Sequence, residues 1–466
     1  TPPWRTHCRC GADNHHNHPP PQAAIGALTG RLPFLLVLAA ALVLIQQQML
    51  LRRSPRLVTL SQQQIHSGSA ALDLRFSRPM HRNNVSSESR LVPALNHRWL
   101  GTNNPLRLVI DADQVIAGPL KLELAGRDQR LNPMATQTWW WEPRPWLLVT
   151  RQVDDGEQLQ LLDHDGSWKP LSPVWKRITK LTPIGNGQGV AIVSSDGEGG
   201  ERIWLRHLTQ QSLARRREEL KPPEPEQLEL LAEKEVLFGH LSSNLNGDLL
   251  LQTGGFFPGS ERVELIKADG KRQKLSQISS GPMELIPAGG GLVVPSYDNL
   301  SLRPLVDNGR PPQSLPGSRE LGAFCAASGR AVLIRHWPDY RRSIELVIPG
   351  LAPRQLWLGE KAVLGVACDG SGERIWAVLG EWTGDRGVHT ILLIDGAGTQ
   401  LKQQPLEPWS MKGGTPVQFD PVSRQLLLTV LQPDRRETHP ALMDADTLQW
   451  RKILPVDVGE AQWLSP

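Results

Sequence analysis

The chain has 466 residues and a formal net charge of +4, and 39% of its residues are hydrophobic while 21% are charged. This length predicts more than one folded unit, and the composition excludes an intrinsically disordered chain. Because nucleic-acid binders usually concentrate positive charge on one surface, the small net charge predicts no nucleic-acid partner.

Residues 1–30 form a tail that we expect to be disordered. The tail contains five possible metal ligands, Cys8, Cys10, His15, His16 and His18. A Cys-x-Cys pair with a loose histidine cluster lacks the ligand spacing of a structural zinc site. No metal site is therefore predicted in the tail.

Residues 31–52 contain the apolar stretch LPFLLVLAAALVLI, which is followed by QQQMLLR. The stretch shows no polar stripe at the helical period, so it predicts a transmembrane helix rather than a core helix. No small-x-small cleavage pattern follows it, which favours an uncleaved signal anchor over a removed signal peptide. We therefore expect Leu32–Leu51 to contact a lipid bilayer, while the balanced flanking arginines leave the orientation open.

Residues 57–135 alternate apolar and polar side chains in "ALDLRFS", "LRLVID" and "LKLELAG", as half-buried strands do. With the phrase "FSRPM", the strand succession in "LVPALNHRWLGTNNPLRLVI" and the closing "LAGRDQRLNPM", this region resembles the bacterial S-layer type of Ig-like domain. The resemblance implies a β-sandwich that acts as a spacer or adhesion module in exported proteins. It implies no catalytic residue.

Residues 136–466 repeat short hydrophobic strands after tight turns near residues 144, 188, 247, 290, 329, 372 and 424. This spacing predicts one four-stranded blade per repeat and therefore a mainly β chain that ends in a β-propeller. The turns "ASGR", "DGSGE" and "DPVSR" resemble those of TolB-type PD-repeat propellers. Seven blades are favoured, with six or eight open, because "TQTWWWEPR" and the C-terminal "EAQWLSP" both have the pattern of an innermost strand.

Two features of the repeats are a charged insertion and a pair of cysteines. The segment Ala214–Glu235 is rich in charge and proline, which predicts an exposed excursion that ends in a short helix from Gln227 onward. Cys325 and Cys368 occupy similar places in neighbouring repeats. We expect two buried thiols, with a disulfide between them as the alternative.

The chain contains few signatures of catalysis. It lacks the Gly-x-Ser-x-Gly elbow, the His-Glu-x-x-His motif and the phosphate loop. Asp163 and Asp165 resemble the start of a calcium loop but lack the later ligands, so they predict a hairpin turn. No catalytic residue, metal or cofactor is predicted. A propeller enzyme of the lactonase or lyase class is the alternative, with Asp369, Glu284 and His240 nearest to a central site.

Loops between the second and third strands of all blades lie on one face of a propeller. In the fifth to seventh repeats these loops combine arginine with aromatic residues, which is the composition of recognition surfaces. The predicted binding residues are Arg335, Trp337, Tyr340, Arg341, Arg342, Trp382, Arg386, Arg435 and Arg436. We therefore expect a membrane-anchored, extracytoplasmic binding or scaffold protein, in the periplasm or at the cell surface, whose propeller meets an envelope protein or an anionic polysaccharide.

Overall fold

The computed structural model describes residues 32–466 except 198, 233–235, 258, 277, 278, 280, 306–310, 385 and 433–436. The chain divides into two compact units, Thr1–Ser54 and Pro55–Pro466. The tail predicted over residues 1–30 lies outside the described residues, together with its cysteines and histidines.

Helix α1 spans Leu32–Arg52 in the first unit. Within the described part of the chain, no helix combines the length and the apolar character needed to cross a membrane. The predicted transmembrane signal anchor over residues 31–52 is therefore wrong, and the predicted bilayer contact through Leu32–Leu51 loses the membrane-spanning helix on which it was based. The uninterrupted apolar run stops at Ile45 and falls short of the roughly 20 residues that a bilayer requires.

The second unit begins with two four-stranded sheets. Their elements are β1 (Leu57–Gln62), β2 (Ala70–Phe76), α2 (Arg82–Glu88), β3 (Arg90–Val92), β4 (His97–Leu100), β5 (Leu106–Ile110), β6 (Leu120–Leu124), β7 (Gln137–Trp141) and β14 (Leu213–Ala214). One sheet has the order β1-β2-β5-β4, and the other has the order β14-β7-β6-β3. Buried residues of both sheets form one hydrophobic cluster, so the two sheets are a sandwich.

The sequence pattern explains how this sandwich buries its core. The leucines of β6 are buried, while Lys121 and Glu123 between them pair on the outer side at 2.5 Å between Nζ and Oε1. Trp141 is fully buried, and its Nε1 donates a hydrogen bond of 2.9 Å to Oε1 of Gln62. This hydrogen bond gives the indole N–H a partner, since burying that group without one would cost free energy.

Seven antiparallel sheets follow, which we call blades 1 to 7, with strands lettered A to D from the axis outward. In chain order the strands of blades 1 to 3 are β8 (Trp146–Val153), β9 (Gly156–Leu162), β10 (Trp168–Trp175), β11 (Arg177–Pro183), β12 (Gly189–Ser195), β13 (Glu201–Gln211), β15 (Lys221–Leu230), β16 (Phe238–Ser243), β17 (Leu249–Gly254), β18 (Arg262–Ile266) and β19 (Arg272–Leu275). Those of blades 4 and 5 are β20 (Glu284–Leu285), β21 (Gly291–Pro295), β22 (Asn299–Pro304), β23 (Gln313–Pro316), β24 (Arg319–Cys325), β25 (Arg330–His336), β26 (Arg342–Val347) and β27 (Arg354–Gly359).

The remaining strands form blades 6 and 7 and close blade 1. They are β28 (Ala362–Cys368), β29 (Arg374–Thr383), β30 (Arg386–Asp395), β31 (Gln400–Pro405), β32 (Ser410–Met411), β33 (Gln418–Asp420), β34 (Gln425–Leu431), β35 (Thr438–Asp444), β36 (Trp450–Ile453) and β37 (Val458–Leu464). Blade 7 has five strands because β32 and β33 both pair with β34.

The sheets form a closed ring. Strand β37 pairs with β8, with Trp463 opposite Leu147, and is thus the innermost strand of blade 1. Strand β37 also contacts β11 of blade 2 and β33 of blade 7. Innermost strands of the other neighbouring blades contact one another as well, except that β24 of blade 5 contacts β21 and β22 of blade 4. The predicted propeller is therefore confirmed. The expectation that "TQTWWWEPR" is an innermost strand is wrong, because β7 belongs to the sandwich.

The turns between strands A and B use glycine where the backbone demands it. Gly247 has a φ of 89°, and an added Cβ would lie 2.2 Å from Nδ2 of Asn186 in the equivalent turn of blade 2. Only glycine adopts this conformation and fits this space without strain. The glycine turns that sequence analysis uses as repeat markers thus join A to B in blades 2 to 6.

The segment Ala214–Glu235, described up to residue 232, differs from its prediction. Residues 217–219 form a 3-10 turn, and β15 pairs with β13 as the outer strand of blade 2. The helix predicted from Gln227 is therefore wrong. Strand β13 is 11 residues long, so β15 can pair along its free edge. The prolines of β15 are tolerated because β15 is an edge strand.

Cys325 and Cys368 form a disulfide with a Cα–Cα distance of 5.6 Å. They end the innermost strands of blades 5 and 6, so the bond joins two neighbouring blades. The expectation of two free buried thiols is wrong because the repeat brings equivalent strand ends together.

Candidate functional site

The two faces of the propeller differ in what covers them. In an antiparallel blade, turns A–B and C–D lie on one face and turn B–C lies on the other. The sandwich contacts the A–B face: the amide of Ile116 donates to the carbonyl of Val422 at 3.0 Å, and Nε2 of Gln64 donates to the carbonyl of Pro466 at 3.3 Å. A cavity of about 460 Å³ lies between them. The B–C face points away from this junction.

The B–C turn of blade 5 brings together five of the predicted binding residues. The amide of Trp337 donates to the carbonyl of Arg341 at 3.0 Å, and the amide of Tyr340 donates to the carbonyl of Trp337 at 3.1 Å. Nη1 of Arg342 donates to the carbonyl of Tyr340 at 2.7 Å. These bonds fix a tight turn whose outermost side chain, Tyr340, is 84% exposed.

Arg335 and Trp337 form a stacked pair beside this turn. The guanidinium Cζ of Arg335 lies 3.7 Å from the centroid of the indole ring, and Nε1 of Trp337 donates to Oγ of Ser343 at 2.9 Å. Glu345 is buried and accepts from Nε of Arg319 at 2.8 Å, with Nη1 of Arg335 at 3.7 Å. One carboxylate therefore balances two of the arginines on this side of the blade.

Arg341 is also paired. Its Nε donates to Oδ2 of Asp339 at 2.7 Å, and this hydrogen bond lowers the pKa of Asp339 and raises that of Arg341. The arginine that sequence analysis predicts for anion binding thus already has a carboxylate partner.

Blade 6 contributes Trp382, which is 80% exposed at the end of β29. Next to it Nζ of Lys361 contacts Oε1 of Glu381 at 2.7 Å. Arg386 begins β30, and Arg435 and Arg436 lie outside the described residues. Their predicted roles in binding stay predictions, as do those of the other six residues.

Sequence analysis missed three exposed aromatic residues in the equivalent turns of blades 3 and 4. Phe256 and Phe257 lie between β17 and β18, and Tyr297 lies between β21 and β22. Their signal in the sequence is an aromatic residue beside Gly, Ser or Asp immediately after a buried strand, in "GGFFPGS" and "PSYDN".

Two of the three residues named for the enzyme alternative lie near the axis of the ring. Glu284 lies in β20 and His240 in β16, both innermost strands. Burial raises the pKa of Glu284 and of Glu460 in β37, while the nearby Lys180 opposes both shifts. Burial lowers the pKa of His240.

The other acidic candidates have structural partners. Oδ1 of Asp369 accepts from the amides of Gly372 at 2.7 Å and Glu373 at 3.0 Å, which closes the A–B turn of blade 6. Oδ1 of Asp165 accepts from the amide of Ser167 at 2.8 Å in the turn between β9 and β10. Among the described residues, no group of three or more His, Cys, Asp or Glu side chains could hold a metal ion.

No protein-family model and no curated protein sequence matches the chain. The solved structures that resemble it include TolB from Acinetobacter baumannii, with 13% identity, a TM-score of 0.41, and 75% of this chain and 81% of that chain covered. They also include the periplasmic gluconolactonase PpgL from Pseudomonas aeruginosa, with 17% identity, a TM-score of 0.45, and 69% of this chain and 99% of that chain covered. Because the TM-scores are below 0.5, the propeller assignment depends on the strand order and ring closure described above.

Proposed function

We propose that this chain is an extracytoplasmic, non-catalytic binding module whose propeller presents its B–C face to a component of the cell envelope, either a protein or an anionic polysaccharide. One observation carries the proposal: Tyr340 in the B–C turn of blade 5 is 84% exposed, and Trp382 beside the B–C turn of blade 6 is 80% exposed. Large aromatic side chains cost free energy when they remain in water, and aromatic residues dominate binding surfaces.

Two further features support the location and the role of the sandwich. A disulfide such as Cys325–Cys368 persists in oxidising compartments and is rare in a reducing cytosol. If β1 to β7 are lettered A to G, the sheet orders become A-B-E-D and C-F-G, with β14 added beside G. Apart from β14, these orders match an Ig constant-type sandwich. We infer an Ig-like spacer that sits on the A–B face and leaves the B–C face free.

A matched set of variants tests this function. Purified full-length wild type, a Tyr340→Ser/Trp382→Ser variant and a Leu351→Ser control are immobilised and exposed to an envelope extract. Leu351 is 63% exposed on the C–D turn of the same blade 5, so the control removes an exposed apolar side chain from the opposite face. We expect the double variant to retain about ten-fold less envelope material at unchanged thermal stability, and the control to match wild type. Equal retention by all three proteins contradicts the proposal.

The enzyme alternative has one observation in its favour: burial raises the pKa of Glu284 and Glu460, both in innermost strands, and a carboxyl group with a raised pKa is a candidate general acid. It is tested by following acid release from a lactone. If the wild type hydrolyses the lactone, Glu284→Gln abolishes this activity and Tyr340→Ser/Trp382→Ser does not, the protein is a propeller enzyme and the proposed binding function is wrong.

A further inference from the structure

We propose that the partner is a protein, and that it docks on an arc of aromatic anchors extending over the B–C turns of blades 3 to 6. The inference rests on the proposed function and names the partner class and the extent of the surface. In the described part of the second unit, the exposed aromatic side chains are Phe256 (56%), Phe257 (79%), Tyr297 (85%), Tyr340 (84%) and Trp382 (80%). Four of them lie in B–C turns, Trp382 lies in β29 directly beside the B–C turn of blade 6, and the four blades are consecutive.

The arc differs from ordinary surface exposure because its aromatic side chains recur at equivalent places in successive blades. Single exposed apolar residues are common and carry no information. Here exposed aromatic side chains recur in or beside one structural position in four successive repeats, while the chain contains 16 Trp, 7 Phe and 2 Tyr in all. Because B–C turns share a face, a partner that meets one of them can reach its neighbours.

The turns that carry the anchors are held by local hydrogen bonds. The amide of Gly255 donates to Oγ of Ser260 at 3.0 Å, and the amide of Ser260 donates to the carbonyl of Phe257 at 3.1 Å. In blade 4 the amide of Ser296 donates to the carbonyl of Asn299 at 2.8 Å. Ordered turns lose less entropy on binding, so anchors on them contribute more affinity.

A recess of about 720 Å³ lies beside Phe256 and Phe257. Leu231 and Leu251 line it together with the two phenylalanines, and Arg262 lies at its polar side. A recess next to protruding aromatic side chains can receive a side chain of the partner, which is how protein interfaces pair pockets with anchors.

Charge pairing and loop composition select a protein over an anionic polysaccharide. Arg341 pairs with Asp339, and Lys361 pairs with Glu381. These two ion pairs leave less unpaired positive charge for an anionic polymer, while the exposed aromatic side chains offer apolar contact area. Aromatic side chains set among Gly, Ser and Asn on loops of a rigid β scaffold also resemble the composition of antibody paratopes.

Photocrosslinking on the full-length protein tests the arc. Benzoylphenylalanine replaces Phe257, Tyr297, Tyr340, Trp382 or the control Leu351, one at a time, and the purified variants are irradiated with an envelope extract. One portion of the crosslinked material is digested with protease and another with polysaccharide hydrolases. A crosslinked protein is then identified and purified, and its binding is titrated calorimetrically with wild type, Phe257→Ser, Tyr297→Ser and Leu351→Ser.

We expect the same protein at the four arc positions and none at Leu351. We also expect Kd to change less than about three-fold between roughly 50 and 500 mM NaCl, since paired surface charges contribute little. Phe257→Ser and Tyr297→Ser should each weaken binding about ten-fold, and Leu351→Ser should not.

Other results separate the two proposals. Crosslinks at Tyr340 and Trp382 alone overturn the arc but leave the proposed function intact. Crosslinks removed by polysaccharide hydrolases, or a Kd that rises steeply with salt, overturn the protein partner and keep a binding module. If the protein binds protein-free vesicles of phosphatidylethanolamine and phosphatidylglycerol through the arc, the arc contacts a lipid surface and the inference is overturned. The absence of any crosslink above the Leu351 background overturns both proposals.

Discussion

The guanidinium of Arg215 lies over the indole of Trp139, with its Cζ 3.8 Å from the ring centroid. Arg215 follows strand β14, which extends from blade 2 to pair with β7 of the sandwich, and Trp139 lies in β7. Arg217 repeats the contact over Trp140 at 5.7 Å. A segment of the propeller thus completes a sheet of the sandwich and places two cations on its tryptophans.

The first prediction concerns this contact. Arg215→Ala/Arg217→Ala should lower the free energy of unfolding by about 1 kcal/mol, because exposed cation–π contacts each contribute roughly 0.5–1 kcal/mol. Urea unfolding followed by tryptophan fluorescence measures the loss. Arg216→Ala is the matched control, since Arg216 lies between the two in the chain and its Nε lies 4.0 Å from Oε1 of Glu219. An equal loss in the control contradicts a role for the indole contacts.

The disulfide gives a second prediction. Cys325→Ala/Cys368→Ala should lower the free energy of unfolding by about 2–4 kcal/mol, because the bond closes a loop across a sequence separation of 43 in the unfolded chain. Wild type reduced with dithiothreitol should lose a similar amount. Denaturant curves of the oxidised, reduced and variant proteins check the expectation. Identical curves for oxidised and reduced wild type would contradict it.

The blades could be predicted because their signal is local. Period-2 strands and glycine turns lie within one repeat, and Gly247 and Gly372 take the positive φ that the A–B turns require. The distant partners could be predicted only in part. The C-terminal strand was one of two candidates for the innermost strand of the first blade, and β37 does pair with β8. The other candidate, β7, pairs with β14, and no local pattern encodes which distant edge a strand completes.

The candidate site was predicted only in part for a related reason. Arg335, Trp337 and Tyr340 were recognised because arginine and aromatic residues adjoin in one loop. Phe257 and Tyr297 carry no neighbouring arginine in their turns, so composition alone gave them no weight. Whether an arginine is free or paired, as Arg341 is with Asp339, depends on side-chain geometry that the sequence does not specify.

A third prediction separates stability from binding at Tyr340. This residue has a φ of 66°, a left-handed conformation that costs a non-glycine residue about 1–2 kcal/mol. Asparagine tolerates this conformation better. Tyr340→Asn should therefore keep or raise the free energy of unfolding by up to about 1 kcal/mol, while retention of envelope material falls.

Tyr297→Asn is the matched control for this change. Tyr297 is equally exposed, at 85%, but has no positive φ. We expect Tyr297→Asn to weaken binding without raising stability. Thermal unfolding and the retention assay together check both variants. A marked destabilisation by Tyr340→Asn would show that Tyr340 has a packing role that its exposure does not indicate.

The last prediction concerns acid and Glu142, which lies where the chain passes from the sandwich to the propeller. Burial opposes its ionisation, but hydrogen bonds from Arg144 and His164 lower the pKa of Glu142 from 4.5 to about 2. Oε1 of Glu142 accepts from Nε of Arg144 at 2.8 Å, and Nη1 of Arg144 donates to the carbonyl of Ala117 in the sandwich at 3.0 Å. Protonation of Glu142 therefore weakens the junction.

A group whose pKa is lowered by folding stabilises the native state above its unfolded pKa and loses that contribution as the pH falls. Glu142 should therefore contribute about 3 kcal/mol above pH 4.5 and progressively less towards pH 2. Glu142→Gln should be less stable than wild type at pH 7, and the difference should shrink between pH 4.5 and 2. Urea unfolding across this range measures it. Glu123→Gln, which breaks the outer pair with Lys121, is the control and should change the pH dependence of stability little, because that pair is solvated. A constant difference in stability between wild type and Glu142→Gln at all pH values contradicts the assignment.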